Sequence, residues 1–231
     1  MADINQEYLG KKTKHRRYYT PYDISLHFSS LDLWVIIFGQ VYELTTLIQS
    51  HIESPLTQPL IDFGGKDISH FFNPKTKEPL TRINTNTGKR VFYCPHGRYL
   101  HIPNPDPSSQ KEPVPANGKP WWRDSSYIVG KVTQKVRKLR IINMLTHQED
   151  IIDVPCEETI EEIQERYLLV NEHAASYTWK SVTNKPLDME GTLDENEIFD
   201  ETEKFEELGI PENEWYIPPI LIYFDDDLTQ A

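Results

Sequence analysis

Two histidines, His51 and His70, are the residues of this chain whose side chains best suit the binding of a metal ion. Neutral imidazole is the commonest metal ligand in proteins, and its charge changes near neutral pH. His51 follows the apolar run "LWVIIFGQVYELTTLI", and His70 lies in "GGKDISHFF". Two interpretations of each stay open: a ligand or a solvent-facing loop residue for His51, and a ligand or a helix-surface or core-edge residue for His70.

The other reactive side chains predict no catalytic centre, so we expect a protein that is not an enzyme. Cys94 and His96 are too few for a zinc site. Cys94 and Cys156 lack the CxxC spacing of a redox pair, which favours reduced, structural thiols. The sequence carries no phosphate-binding glycine loop, dinucleotide fingerprint or catalytic triad spacing. The carboxylates of "DENEIFDETEKFEE" are expected to form a solvated face or a strip that docks a partner.

The net charge of −12 is distributed unevenly along the chain. Residues 1–156 hold 20 Lys and Arg against 15 Asp and Glu, whereas residues 157–231 hold 4 against 21. The acidic half would repel phosphates, so nucleic acid is excluded as a general partner. The basic arm at 1–17, with "KKTKHRR", is expected to be solvated or to contact an acidic partner. No apolar stretch approaches the ~20 residues of a membrane span, and no signal-peptide core is present, so we expect a cytoplasmic protein that is not secreted.

Residues 18–82 are predicted to form one compact domain that positions both histidines. Thr20 as N-cap, Pro21 at the first helical position and Asp23 in the first turn predict a short helix. The apolar runs "LWVIIFG" and "QVYELT" predict two strands joined by a two-residue turn at Gly39-Gln40. A short helix over "TTLIQSH" should then lead to His51, and a second helix after the glycine pair at 64–65 should carry His70.

Residues 83–135 are predicted to be a proline-rich connector without a core of its own. Seven of the 17 prolines fall between Pro95 and Pro120. The stretch "RVFYCPHGRYLHI" predicts a hairpin with "PHGR" as its turn. Trp121 and Trp122 are expected to pin the connector onto the surface of a domain.

Residues 136–231 are predicted to form a second domain of the α+β class. "VRKLRIINML" and "DIIDVP" predict two strands, and Ile160, Ile163, Tyr167 and Leu168 have the spacing of one helix face. "SYTWKS" and "PPILIYF" predict two further strands. The order strand, strand, helix, strand, strand suggests a β-grasp sheet packed on one face by a single helix.

The first domain resembles the cytochrome b5 heme-binding family. The residues that carry the resemblance cover about 60 positions: Tyr19-Thr20, His27, Trp34, Gly39 and "VYELT" at 41–45. The resemblance implies a heme b held between two axial histidines. It places His51 where the family has its first ligand, although "IES" follows in place of Pro-Gly-Gly. It places Lys77 where the second ligand is expected, so His70 is the nearest imidazole that could serve as the second heme-iron ligand.

The second domain resembles ubiquitin-like domains, with Thr192, Leu193 and Ile198 at matching places but no terminal Gly-Gly for conjugation. The two domains in this order resemble the cytochrome b5 domain-containing proteins of motile cilia. That resemblance implies a structural or regulatory protein of the ciliary axoneme whose partners are radial spoke and other axonemal proteins, with no membrane and no nucleic acid. The alternative is a heme-based redox or gas sensor, or an electron carrier of the cytochrome b5 type, that uses His51 as axial ligand.

Overall fold

The computed structural model describes residues 17–104 and 118–224, and its contacts divide the chain into two units, Met1–Val132 and Thr133–Ala231. The predicted basic arm lies outside the described residues except for Arg17. Within the described residues, the helices are all too short or too polar to cross a bilayer.

Unit 1 is a five-stranded sheet with short helices and a separate two-stranded hairpin. Its strands are β1 Tyr18–Tyr19, β2 Phe28–Ser29, β3 Asp32–Ile37, β4 Gln40–Glu43, β5 Thr81–Ile83, β6 Arg90–Phe92 and β7 Ile128–Val132. Its helices are α1 Pro21–Ser25, α2 Thr45–Ser50 and α3 Gln58–Ile61. The sheet order is β1-β7-β4-β3-β2, and β5 pairs only with β6 among the described strands.

Local rules explain how unit 1 begins. The short helix predicted from Thr20, Pro21 and Asp23 is present as α1. Thr20 and Asp23 also form a capping box at its start, which the sequence analysis did not predict. The turn between β3 and β4 is Phe38-Gly39, one residue earlier than predicted, because Ile37 pairs with Gln40. Both turn residues have positive φ, 48° and 76°, which is the twist that a tight hairpin requires.

The predicted connector is the main correction to the fold, because part of it belongs to the core of unit 1. Five of its side chains are buried in that core: Tyr99, Leu100, Ile102, Trp121 and Trp122. β7 also comes from this segment and lies between β1 and β4 in the sheet. The predicted domain 18–82 therefore does not close on its own, and unit 1 runs to Val132 instead.

The hairpin predicted around "PHGR" is also wrong. β6 pairs with the preceding strand β5 through the turn at 84–89, and the segment after Tyr93 turns back into the core. The turns at 73–78, 84–89 and 143–148 share one pattern. In each, the first Asn side chain accepts backbone N–H groups two and three residues on, and the fifth residue has positive φ. Such Asx turns fix the backbone without packing, which is why the hairpins hold their shape at the surface.

Unit 2 is a four-stranded mixed sheet that shares its hydrophobic core with a helix. Its strands are β8 Val136–Asn143, β9 Glu149–Pro155, β10 Tyr177–Lys180 and β11 Pro219–Phe224, and its helices are α4 Ile160–Tyr167 and α5 Thr202–Glu207. The order is β10-β11-β8-β9, with β11 parallel to β8. The predicted order of elements is present, with α5 added inside the acidic segment. The assignment of this unit to the ubiquitin-like family stays a prediction.

Helix α4 buries one face and holds an ion pair inside unit 2. Thr159 and Glu162 form the capping box that starts the helix, and Ile160 and Ile163 are fully buried. The Arg166 guanidinium donates to both carboxylate oxygens of Glu158, at 3.0 and 2.6 Å. Both side chains are nearly inaccessible to water, at 9% and 1% exposure.

Candidate heme site in unit 1

His51 ends helix α2, where its ring is held by the backbone. Its Nδ1 lies 3.0 Å from the Leu47 carbonyl oxygen and 2.9 Å from the Ser50 hydroxyl. Because a carbonyl oxygen can only accept, Nδ1 carries the proton and donates it. The Nε2 of neutral His51 then keeps a free lone pair, which is the state that a metal ligand needs, with the carbonyl as orienting partner.

The ring that faces His51 is His101, a residue that the sequence reasoning did not single out. The two ring centres are 6.5 Å apart and the rings are perpendicular. The Nδ1 of His101 accepts the backbone N–H of Trp121 at 3.0 Å, so in the neutral ring the proton lies on Nε2. His101 also has a φ of 68°, which is uncommon outside glycine. Its contacts are with Trp121 and His51, which lie 20 and 50 residues away in the sequence. No local sequence pattern predicts them.

His70 does not meet His51 in the described part of the chain. It lies on a 3₁₀ turn, Ser69–Phe71, and not on the regular helix that was predicted. Its ring is exposed and contacts Phe63 and Phe71, and the His96 ring centre is 6.0 Å away. The two predicted heme-iron ligands therefore lie beside different histidines: His51 faces His101, and His70 lies near His96.

The histidines fit one axial ligand of a heme and do not fit the predicted clamp. Metal–imidazole bonds are about 2 Å long, so two axial rings have centres about 6 Å apart. His51 and His101 meet that spacing, but only His51 offers an unprotonated Nε2. For His101 to offer one, its proton would have to move to Nδ1, which would break the hydrogen bond from the backbone N–H of Trp121. Lys77, at the place expected for the second ligand, has its ammonium 3.6 Å from the centre of the Phe38 ring. Among the described residues, no group of three or more His, Cys, Asp or Glu gathers as a metal cluster.

The remaining candidate side chains have structural surroundings. His27 stacks on Trp34 at 3.8 Å, and its Nδ1 lies 2.7 Å from Asp32 Oδ2. Burial raises the pKa of both the Cys94 and the Cys156 thiols, so each stays protonated at neutral pH. The surroundings of the two thiols agree with the structural role that the sequence predicts for Cys94 and Cys156.

The hydrogen bond between Trp121 and His101 predicts a pH-dependent stability. Burial, and then the nearby His51, lower the pKa of His101 from its ordinary value of 6.5. The unfolded chain therefore binds this proton more tightly than the folded protein does. The contribution of neutral His101 to the free energy of unfolding is fully present above pH 6.5 and is lost as the pH falls below that value. In urea unfolding at pH 7.5 and pH 5, we expect wild type to lose more stability than His101→Asn. The asparagine Oδ1 can still accept the Trp121 N–H, and asparagine tolerates a positive φ.

His101→Ala is the companion variant for this experiment. It removes the acceptor and should cost about 1–3 kcal/mol at pH 7.5, because the buried Trp121 N–H loses its partner. Parallel pH profiles for wild type and His101→Asn would show that another group is responsible for the pH dependence.

Comparison with known proteins assigns the chain to a family. It is 49% identical over 214 residues to the cytochrome b5 domain-containing protein 1 of Xenopus laevis, covering 93% of this chain and 97% of that one. It is 45% identical over 217 residues to the human protein of the same name, covering 93% and 92%. Among solved structures, the cytochrome b5 of Ostreococcus tauri virus 2 is 25% identical and covers 29% of this chain and 100% of its own, with a TM-score of 0.21 that carries no weight here. No family model matches the chain. On the strength of these full-length relatives, the chain belongs to the family of cytochrome b5 domain-containing protein 1.

Proposed function

We propose that this chain is a non-catalytic structural and regulatory component of the axoneme of motile cilia, associated with radial spokes and with ciliary beating. The location is taken from the resemblance of the two-domain order to cytochrome b5 domain-containing proteins of cilia. The names of the relatives support the cytochrome b5 part alone. Radial spoke and neighbouring axonemal proteins are then the partners, and the ubiquitin-like second domain is a docking module.

The observation that best supports a docking role over electron transfer is the geometry of His51 and His101. A cytochrome b5-type carrier uses two imidazoles to hold its iron. Of the two facing rings here, His101 has its proton on Nε2, because its Nδ1 accepts the backbone N–H of Trp121. The side chains of Tyr99, Trp121 and Trp122 are buried in the packed aromatic core of unit 1. A unit of this kind offers its outer surfaces for binding.

The test is to follow the full chain, tagged at low expression, in multiciliated cells. We expect the protein to remain with axonemes after detergent removes the membrane, and to crosslink to radial spoke subunits. Cells that lack it should assemble cilia and beat them abnormally. Complete release into the detergent fraction, with no crosslinks to spoke subunits, would refute the proposal.

A second candidate function is heme binding with His51 as an axial ligand, which the Leu47 carbonyl favours by leaving Nε2 unprotonated. Bound heme would supply redox or gas-binding chemistry, and this chain would supply the imidazole and its orientation. The matched variants are His51→Ala and His70→Ala. In absorbance titrations with hemin, we expect wild type and His70→Ala to give the same Soret band and His51→Ala to lose it. Identical spectra for His51→Ala and wild type would remove His51 from the site, and loss in His70→Ala alone would move the ligand there.

A further inference from the structure

The hairpin of β5 and β6 is an exposed element that the proposed functions leave unexplained. All six of its strand residues are exposed or half-buried. Ile83 is 67% exposed and Phe92 is 39% exposed. A two-stranded hairpin with an apolar face open to water is marginal by itself, so an apolar surface of this kind commonly belongs to an interface.

The register of the hairpin places its apolar and cationic side chains on one face. Ile83 pairs with Arg90, and Thr81 pairs with Phe92. Side chains alternate between the faces of a strand, so these four residues share the same face. Lys89 comes directly before Arg90 in the turn that closes the hairpin. The face therefore presents two apolar side chains beside the Arg90 cation, with the Lys89 cation in the adjoining turn.

The positive charge around the hairpin is not neutralised within the described part of the chain. Residues 75–93 contain five Lys and Arg and one acidic residue, Glu78. The Glu78 carboxylate accepts from Arg123 Nε at 2.6 Å, outside the hairpin. The cations of Lys77 and Arg82 lie over aromatic rings, and none of the five forms an ion pair with a described carboxylate. Since the chain as a whole carries −12, this is a local cationic surface on an acidic protein.

The hairpin is also preorganised for binding. Asn84 Oδ1 accepts the N–H groups of Asn86 and Thr87, and Gly88 adopts a φ of 65°. The backbone of the turn is therefore fixed before any partner arrives, which lowers the entropy cost of association. A short, preformed face that sets a cation beside apolar side chains fits an extended segment that combines carboxylates with apolar side chains.

We propose that the β5–β6 hairpin binds an extended acidic segment of a partner protein. Arg90 and Lys89 pair with carboxylates of that segment, while Ile83 and Phe92 cover its apolar side chains. A partner protein is favoured over nucleic acid because Ile83 and Phe92 are exposed on this face, and an apolar side chain can cover them whereas a phosphate backbone cannot. The inference concerns the chemistry of the partner, so it can hold or fail independently of the axonemal proposal.

The experiment uses the full chain and a short fluorescein-labelled peptide of glutamates with a leucine at every fourth position. Fluorescence anisotropy at low salt should show saturable binding that weakens as salt is added. Lys89→Glu combined with Arg90→Glu should weaken binding about 10-fold or more, since exposed ion pairs each contribute a modest amount and here attraction becomes repulsion. Ile83→Ser should weaken binding of this peptide and leave binding of an all-glutamate peptide unchanged.

The matched control is Lys138→Glu combined with Lys185→Glu, which changes the net charge by the same amount on unit 2, at side chains that are exposed. Far-UV circular dichroism and urea unfolding establish that each variant is folded. An equal loss in both double variants would show a general charge effect and overturn the proposal. So would the absence of binding by wild type, or tighter binding of a DNA duplex or of phosphatidylserine vesicles than of the acidic peptide.

Discussion

Replacing Trp121 by alanine is expected to lower the free energy of unfolding of unit 1 by about 3–5 kcal/mol. Trp121 is 0% exposed, and its indole N–H donates to the Leu100 carbonyl at 3.1 Å. Its ring meets those of Trp122 and Tyr42 edge to face, at 5.6 and 6.2 Å. The substitution removes a large buried side chain, leaves a cavity and strips a buried carbonyl of its partner, so the three losses act together.

Urea unfolding followed by far-UV circular dichroism measures this effect, and Trp121→Phe separates its causes. The phenylalanine variant keeps most of the apolar contact and loses the hydrogen bond to Leu100, so its loss should be clearly smaller. Trp215→Ala, which alters unit 2, is the control for tryptophan removal in general. A loss below about 1 kcal/mol for Trp121→Ala would contradict burial of this side chain in the core.

Breaking the ion pair of Glu158 and Arg166 is the second large effect, with an expected cost of about 3–5 kcal/mol for Glu158→Ala. The alanine leaves the Arg166 guanidinium in a site that is nearly closed to water, without the carboxylate that accepts two of its N–H groups. The cost is mainly that of a buried guanidinium that has lost this carboxylate. It is not a measure of what the pair adds to stability when it is intact.

The double variant Glu158→Leu with Arg166→Met tests that distinction. Replacing both charges by apolar side chains should recover much of the loss, because neither charge then remains in the buried site. Glu201→Ala is the surface control, since the ion pair of Glu201 with Lys204 is exposed and should be worth nothing measurable. If Glu158→Ala is as mild as Glu201→Ala, the carboxylate at 158 is not buried against Arg166.

The parts of the fold that could be predicted are those set by short-range patterns. The short helix α1, the apolar strand β3 and the helix face of Ile160 and Ile163 each follow from a few neighbouring residues. The order of elements in unit 2 follows from the same signals. The helix α4 ends at Tyr167, earlier than the predicted segment, because propensity alone does not specify where packing stops.

The error in the connector has a physical cause. A high proline content and several turns indicate irregular backbone, and the backbone at 83–104 and 118–127 is indeed mostly irregular. Irregular backbone can still be buried, as Tyr99 and Trp121 are here. The apolar residues around them show no helix or strand periodicity from which burial could be predicted. The sequence predicts that aromatic residues in this proline-rich stretch anchor it to a surface, whereas they complete the core.

The candidate site shows the same limit at the level of single residues. The spacing of the cytochrome b5 pattern identified His51, which does end a helix with its Nδ1 on a carbonyl. It could not identify His101, because the contact depends on the buried segment that the connector hypothesis had placed outside the domain. The same error about the fold thus hid the histidine that faces His51.

The position of β7 has a consequence for the synthesis of this protein. β7 is the last strand of unit 1 in sequence, yet it separates β1 from β4, and Tyr18 pairs with Lys131. On the ribosome, β4 emerges well before Ile128 and has one edge without a neighbour until β7 arrives. Unpaired strand edges recruit other chains, so this interval is when the nascent chain is most prone to aggregate. Translation that stalls before residue 128 would therefore release a fragment that cannot complete its own sheet.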